Sequence, residues 1–312
     1  MTLLAELADT SARVGATSSR LTKVREIAGL LRKLAREEVM IGVSYLAGEL
    51  PRGRVGVGYA ALQTAAKTAG QEPGQPSLSV EQTDRRLADL AAIRGSGSAT
   101  RRSQALSDLF ARATAEERTF LARLLIGELR QGALTGVMVD AIAAASGVPI
   151  ADVRRAAMYA KNLGDVALAA MTDGAAGLGR FQLELFAPVA PMLAQTAADV
   201  GEALGELGGR EVALEWKLDG ARVQVHKAGE QVRLYTRTLN EITDALPEIV
   251  AAVRALPAQA LVLDGEAIAY DASGRPHPFQ ITMRRFGRRL EVTKLLAELP
   301  VRAYFFDCLR LD

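Results

Sequence analysis

A lysine at position 217 lies in a short segment whose side chains could carry out chemistry on a phosphate. Residues 214–227 read LEWKLDGARVQVHK and contain the spacing Lys-x-Asp-Gly-x-Arg between Lys217 and Arg222. A lysine amine attacks only in its neutral form, although the free side chain titrates near ~10.4. Nearby cations and partial burial favour loss of that proton, and we expect Arg222 and Trp216 to supply them. The same cations would neutralise a polyphosphate under attack.

The alternation of apolar and polar side chains predicts that residues 214–218 form a strand. The apolar set, expected to pack on a core, comprises Leu214, Trp216 and Leu218. Lys217 would then project from the opposite side. Asp219 and Gly220 form a turn signal that would return Arg222 toward the lysine. A strand-edge lysine that discourages aggregation is the competing interpretation of this residue taken alone.

LEWKLDGAR resembles the nucleotidyltransferase signature shared by ATP-dependent DNA ligases, RNA ligases and mRNA capping enzymes. Four further segments resemble DNA ligase motifs and occur in the order that this family has them. They are PVAPMLAQT (188–196), YTRTLNEIT (235–243), LVLDGEAIAY (261–270) and AYFFDCLRLD (303–312). ATSSRLTKV and RLLIGELRQGALTGVM resemble the helical DNA-binding domain of many such ligases, which capping enzymes lack. The chain is similar to ATP-dependent DNA ligases of the actinobacterial type.

The resemblance implies a role for each matching residue. Lys217 would attack the α-phosphate of ATP, carry AMP as a phosphoramidate and pass it to the 5′-phosphate at a nick, where the 3′-hydroxyl displaces it. The nucleotide-binding residues so implied are Glu215 at adenine, Arg222 and Glu266 at the ribose, Arg237 at the phosphates and Phe306 stacked on adenine. The expected cofactors are ATP and Mg²⁺ or Mn²⁺, with no metal ligand assigned, and the expected partner is nicked double-stranded DNA.

Three of these residues also have a purely structural interpretation. Glu266 could be a solvent-facing strand acid, and Arg237 could pair with Glu241 four residues further on. Phe306 lies in YFFDCL, where an aromatic side chain is commonly part of a core.

Composition points to a soluble protein of about two domains, with 312 residues, 49% hydrophobic and 24% charged. The one cysteine, Cys308, excludes an internal disulfide, and with two histidines it leaves no structural zinc set. The N-terminus does not read as a secretion signal, and no apolar run is long enough to span a bilayer. We therefore expect a cytoplasmic monomer that does not contact a membrane.

The periodicity of apolar residues changes along the chain. Residues 21–171 follow helical spacing, whereas beyond a Gly- and Pro-rich stretch near residue 185 the sequence alternates like strands, with one clear helix at LPEIVAAVRAL. The predicted strands are ALEWKL, ARVQVHKA, QVRLYTR, LVLDGEAIAY and VRAYFFDCL. We predict an all-α DNA-binding domain (1–185) followed by part of an α+β nucleotidyltransferase, or adenylation, domain (186–312) with a mainly antiparallel sheet.

Two segments of the helical half are candidates for DNA contact. The first 180 residues carry 23 basic and 18 acidic side chains, a net charge of +5. In RGSGSATRRS (94–103), Arg101 and Arg102 could reach a phosphate, although a flexible linker is an equal alternative. In GELRQGAL, Glu128, Arg130 and Gln131 could follow the minor groove from a helix, or simply form a solvated helix end.

The family's sequences continue beyond the Phe306 motif to two more adenylation motifs and an OB-fold domain, none of which is in this sequence. We therefore expect a truncated form that cannot seal nicks and makes little or no lysine–AMP. One alternative is a non-catalytic fragment that binds duplex or nicked DNA. A guanylyltransferase is a further alternative, disfavoured by the helical half.

Overall fold

The computed structural model describes the chain except for residues 52, 54, 72, 130, 132–134, 192–195 and 287–291. The described chain divides into two compact units, Met1–Gln182 and Leu183–Asp312. The division lies close to residue 185, where the sequence periodicity changes.

The regular elements of unit 1 within its described residues are helices, with one isolated β-bridge between Leu3 and Ser79. Its helices are α1 (Leu4–Gly15), α2 (Arg20–Leu31), α3 (Arg36–Leu46), α4 (Tyr59–Thr68), α5 (Val80–Ala92), α6 (Ser98–Ala111), α7 (Ala115–Ile126), α8 (Thr135–Ser146), α9 (Ile150–Tyr159) and α10 (Leu163–Leu178). Their apolar faces meet in one core, where Tyr45 and Phe110 are among the largest fully buried side chains. The predicted all-α class of this half is confirmed.

The start of α5 shows how the sequence sets a helix boundary. The Ser79 hydroxyl accepts a hydrogen bond from the Gln82 N–H at 3.1 Å, and the Gln82 side chain accepts one from the Ser79 N–H at 3.4 Å. This reciprocal pair satisfies two backbone donors that the helix cannot pair internally. The cap of α5 is therefore Ser79 and not Ser77, the serine two residues before it.

Unit 2 contains a four-stranded antiparallel sheet in the order β2-β1-β3-β4. The strands are β1 (Ala221–Ala228), β2 (Gln231–Thr236), β3 (Ala260–Ala269) and β4 (Val301–Leu311). The helices are α11 (Val200–Glu206), α12 (Pro247–Arg254), α13 (Phe279–Phe286) and α14 (Val292–Glu298), with a short 3-10 turn at Thr243–Ala245. The predicted α+β class, four of five strands and α12 are confirmed, whereas the other three helices were not predicted.

The predicted strand at residues 214–218 is wrong. Strand β1 begins only at Ala221, and it already pairs with β2 on one side and β3 on the other. The described sheet therefore has no vacant position beside β1 for the preceding segment. Leu214 and Trp216, expected in a core, are 81% and 93% exposed. Asp219 and Gly220 consequently join no hairpin, and Trp216 does not bury the lysine beside it.

The chain entering unit 2 is attached to the sheet through a buried histidine. The Phe186 N–H donates to His226 Nδ1 at 2.9 Å, and Tyr235 donates its hydroxyl hydrogen to the Phe186 carbonyl at 3.0 Å. Since Nδ1 accepts a hydrogen bond, Nε2 carries the ring hydrogen and donates it to Gln224 Oε1 at 2.9 Å. Complete burial holds the pKa of His226 down to about 4, so the ring is neutral near pH 7.

Removing the cap of α5 tests the boundary assignment. We expect Ser79→Ala to lower the free energy of unfolding of unit 1 by about 1 kcal/mol, because the Gln82 N–H loses its acceptor. Ser77→Ala is the matched control, since this exposed serine precedes the cap. Urea denaturation followed by circular dichroism measures both, and equal losses in the two variants would contradict the assignment.

The neutral His226 predicts a pH dependence of stability for unit 2. Because its folded pKa is depressed from 6.5 to about 4, its contribution is complete above pH 6.5 and is lost as the pH falls toward 4. We expect the wild type to lose about 3 kcal/mol more than His226→Gln across this window. Scanning calorimetry at several pH values measures the difference, with His277→Gln as the control. Parallel profiles for the wild type and His226→Gln would refute it.

Candidate functional site

One cavity of unit 2, of about 860 Å³, is lined by every residue to which the resemblance assigned a role. These residues are Glu215, Lys217, Arg222, Arg237, Glu266 and Phe306. They come from the segment before β1, from β1, from the turn after β2, from β3 and from β4. Five separate parts of the chain thus converge on one concave surface, a common arrangement for a ligand site.

Arg222 on β1 is held in place by a carboxylate of β3. Its Nε donates to Asp264 Oδ1 at 3.0 Å and its Nη2 to Asp264 Oδ2 at 2.5 Å, and the Asp264 side chain is 8% exposed. These two hydrogen bonds raise the pKa of the guanidinium above its ordinary value. The guanidinium also lies 5.8 Å from the centroid of the Phe306 ring. The cavity therefore contains a fixed cation beside an aromatic face.

Glu266 on β3 ties the loop that carries Lys217 to the sheet. It lies opposite Arg222 in the β1–β3 register, and its Oε1 accepts the Gly220 N–H at 3.1 Å. Burial raises the pKa of Glu266, although the Gly220 hydrogen bond and the charges of Lys217 and Arg222 oppose that shift. The alternative considered from the sequence, that Glu266 is a solvent-facing acid of a strand, is wrong, because this side chain is half-buried.

Gly220 and Gly265 permit close approaches around Glu266. A Cβ on Gly220 would lie 2.5 Å from the Ala267 carbonyl oxygen, and one on Gly265 would lie 2.3 Å from the Tyr304 carbonyl oxygen. The second contact falls where the β3–β4 register shifts between Asp264 and Gly265. Three successive residues of β3 thus have separate roles. Asp264 holds Arg222, Gly265 allows the close approach of β4, and Glu266 holds the Gly220 loop.

Arg237 lies on a tight turn that directly follows β2. The Thr236 N–H donates to the Asn240 carbonyl at 2.9 Å, and Leu239 adopts a positive φ of 64°. Within the described residues Arg237 has no ion pair, and Glu241 lies instead 3.8 Å from Arg233. The pairing of Arg237 with Glu241, considered from the sequence, is therefore not present, and this exposed guanidinium remains available to a ligand.

Phe306, Glu215 and Lys217 present exposed side chains to the cavity. Phe306 is 44% exposed, so its interpretation as a core aromatic does not hold. The expectation that Lys217 is partly buried is also wrong, because the segment around it does not pack as a strand.

Sequence reasoning missed two contributions to this site. One is Asp264, the partner of Arg222, which lies two residues from Glu266 and therefore on the same face of β3. The other is the apolar wall that α13 presents to the cavity through Phe279, Met283 and Phe286. Their spacing of four and three residues was the available helical signal.

The candidates for DNA contact in unit 1 have structural partners. Gln131 is 7% exposed, accepts from Ser11 at 2.5 Å and donates to the Leu46 carbonyl. Helix α7 ends at Ile126, so Glu128 and Gln131 follow the helix, and the predicted helical arrangement is wrong. Arg130 lies outside the described residues, as do residues 192–195 of PVAPMLAQT.

The predicted loop at residues 94–103 is helical from Ser98 onward. Arg101 donates to the Arg94 carbonyl at 2.7 Å, and Arg102 donates to the Ile93 carbonyl at 2.6 Å. Both arginines thus stabilise the connection between α5 and α6.

In the part of the chain that the structure describes, no three His, Cys, Asp or Glu side chains come together as a metal site. No described helix is long and apolar enough to cross a membrane.

Comparison with known families gives the site its context. Residues 191–312 match the family "ATP dependent DNA ligase domain", and residues 57–143 match "DNA ligase N terminus". The chain belongs to the ATP-dependent DNA ligase family. The resemblance expected from the sequence motifs is thereby confirmed.

Curated relatives in this family cover nearly the whole chain. A "Probable DNA ligase" of Anaeromyxobacter dehalogenans strain 2CP-1 is 57% identical over 98% of this chain and 60% of that protein. A "Probable DNA ligase" of Mycolicibacterium gilvum strain PYR-GCK is 51% identical over 99% of this chain and 60% of that protein. The chain therefore spans about 60% of the length of these relatives.

A solved structure, "mycobacterial DNA ligase D complexed with ATP and MES", is 34% identical over 31% of this chain and 29% of that chain, with a TM-score of 0.26.

Gly220 provides a direct test of how the Lys217 loop is held. We expect Gly220→Ala to destabilise unit 2 by about 1–3 kcal/mol, because its Cβ would meet the backbone of β3 and break the Glu266 hydrogen bond. Gly205→Ala on α11 is the matched control, since its Cβ would meet no atom of the described residues within 4 Å and helical alanine is favoured over glycine. Thermal unfolding measures both, and a neutral Gly220→Ala would contradict this account.

Proposed function

We propose that the unit 2 cavity binds ATP and that Lys217 carries AMP during the sealing of nicks in duplex DNA. The observation that carries this proposal is the convergence of six signature residues from five chain segments on one cavity. Family membership supports ligation as the overall reaction. The chain spans about 60% of the length of its relatives. The complete ligation reaction is therefore part of the proposal, and labelling with ATP measures how far this chain carries it out.

The proposed chemistry is three successive displacements at phosphorus. The lone pair of Lys217 Nζ forms a P–N bond at the α-phosphate while the P–O bond to pyrophosphate breaks, and the amine proton passes to solvent. The nicked DNA 5′-phosphate then displaces lysine and forms a P–O–P bond with AMP. Finally the 3′-hydroxyl attacks that DNA phosphate, AMP leaves and the hydroxyl proton is released. Positioning and charge neutralisation dominate such transfers.

The residues around Lys217 suit the parts of a nucleotide. With Nε and Nη2 committed to Asp264, Arg222 retains Nη1 as a donor for the ribose. Glu266 retains Oε2 as an acceptor on the same side, since Oε1 holds Gly220. Arg237 forms no ion pair within the described residues, and we assign it to the phosphates. Phe306 offers an exposed aromatic face for adenine, and Glu215 an acceptor for its exocyclic amine.

The family chemistry also implies a divalent cation, for which we propose Mg²⁺ or Mn²⁺. The described residues contain no carboxylate cluster that fits it, so no step is assigned to the metal. Nicked duplex DNA is the proposed partner, supported by the family match of residues 57–143. Monomeric action in the cytoplasm belongs to the same proposal.

The single tryptophan makes ATP binding directly measurable. Trp216 lines the cavity and is 93% exposed, so we expect ATP to quench its fluorescence saturably. Phe306→Ala should weaken ATP binding about tenfold through loss of stacking, whereas Phe306→Tyr should retain it. No saturable quenching, together with tight binding to nicked DNA, would favour the DNA-binding fragment instead.

Labelling tests the role of Lys217. With ATP labelled at the α-phosphate and Mg²⁺, any label that survives denaturation should disappear in Lys217→Ala and persist in Lys161→Ala, an exposed lysine of unit 1. Stoichiometric label would contradict the weak adduct formation expected from the sequence, and label retained in Lys217→Ala would refute its role as nucleophile. GTP used in preference to ATP would indicate a guanylyltransferase.

A further inference from the structure

Arg285 on α13 is a buried cation that the proposed reaction does not use. Its side chain is 0% exposed, and its Nη2 donates to both carboxylate oxygens of Glu248, at 2.7 and 2.9 Å. Within the described residues its Nε and Nη1 have no hydrogen-bond partner. A buried guanidinium with two unsatisfied donors is a costly way to stabilise a fold, because desolvation offsets much of the ion-pair attraction.

Glu248 connects this cation to a fixed part of unit 2. It lies in the first turn of α12, and that helix packs Ile249 and Val253 into the core beneath the sheet. The ion pair therefore attaches α13 to an element that is anchored to the sheet. A second attachment is Thr282, a fully buried residue whose hydroxyl accepts the Ala269 N–H at the end of β3, at 3.1 Å.

The two attachments lie beside the face of α13 that lines the cavity. At ~100° per residue, Phe279, Met283 and Phe286 fall within one narrow stripe of the helix, while Thr282 and Arg285 follow on one flank. A helix held at two points on one flank cannot rotate about its own axis. The orientation of the apolar stripe thus depends on the Arg285–Glu248 pair.

We infer that Arg285 is a positioning residue: through Glu248 it fixes the rotation of α13, and thereby holds Met283 and Phe286 as a wall for the nucleotide base. This inference rests on the proposed binding of ATP. The cavity divides its chemistry accordingly, with Lys217 and Arg237 at the phosphates, Arg222 at the ribose and apolar side chains at the base. Loss of the pair should therefore weaken recognition of the base and leave recognition of the phosphates intact.

Titration calorimetry with ATP and with inorganic tripolyphosphate separates these two contributions. We expect Arg285→Leu to bind ATP about tenfold more weakly, while its affinity for tripolyphosphate stays unchanged. Arg285→Lys should restore most of the ATP affinity, because an ammonium can also pair with Glu248. Arg254→Leu is the matched control, since Arg254 lies on α12, the helix of Glu248, forms an ion pair with Glu230 at 3.8 Å and does not line the cavity.

A double variant, Glu248→Leu with Arg285→Leu, separates positioning from stability. Replacement of a buried ion pair by apolar residues commonly preserves stability, so we expect its melting temperature to match or exceed that of the wild type while ATP affinity stays low. Wild-type ATP affinity in a folded Arg285→Leu or in the double variant would overturn the inference, as would equal losses for ATP and tripolyphosphate. A wild type that binds no ATP would overturn the proposed function and this inference with it.

Discussion

The pairing of β1 with β3 is the interaction on which the cavity depends. It places Arg222 opposite Glu266 and one diagonal step from Asp264, so that one strand supplies the cation and the other supplies both carboxylates. A shift of one residue in this register would turn Arg222 to the opposite face of the sheet. The hydrogen bond from the Gly220 N–H to Glu266 then positions the loop that presents Lys217 relative to these two strands.

Sequence motifs predicted which residues of unit 2 line one cavity better than they predicted the local structure around Lys217. Strands such as β1 and β3 are recognisable because both alternation and pairing support them. Residues 214–218 alternate equally well, but a strand also needs a neighbouring strand to pair with, and in the described sheet these residues pair with none. Local periodicity contains no information about pairing with distant residues, so the strand prediction failed. Lys217 and Arg222 nevertheless line the same cavity, as the motif predicted.

Two of the residues that sequence reasoning missed act through a partner side chain. Asp264 and Arg285 each matter through one ion pair formed across a gap of more than thirty positions in the chain. Gln131 shows the converse, since its polar side chain suggested a surface role while its hydrogen bonds connect α1 to the end of α3. Residue type alone does not distinguish a polar group that faces a ligand from one that satisfies a buried backbone.

The exposure of Leu214 and Trp216 has a thermodynamic consequence for Lys217, the lysine that follows them. Residues 214–217 have exposed side chains and no strand pairing, so the hydrogen bond from Gly220 to Glu266 holds this loop at one end only. Ordering the backbone of the rest costs about 1–2 kcal/mol per residue. Any ligand that immobilises Lys217 against a phosphate must supply that free energy from its own contacts. Part of the binding free energy from contacts at the base and ribose would then be used to fix the position of the amine, and the measured affinity for nucleotide would be lower by that amount.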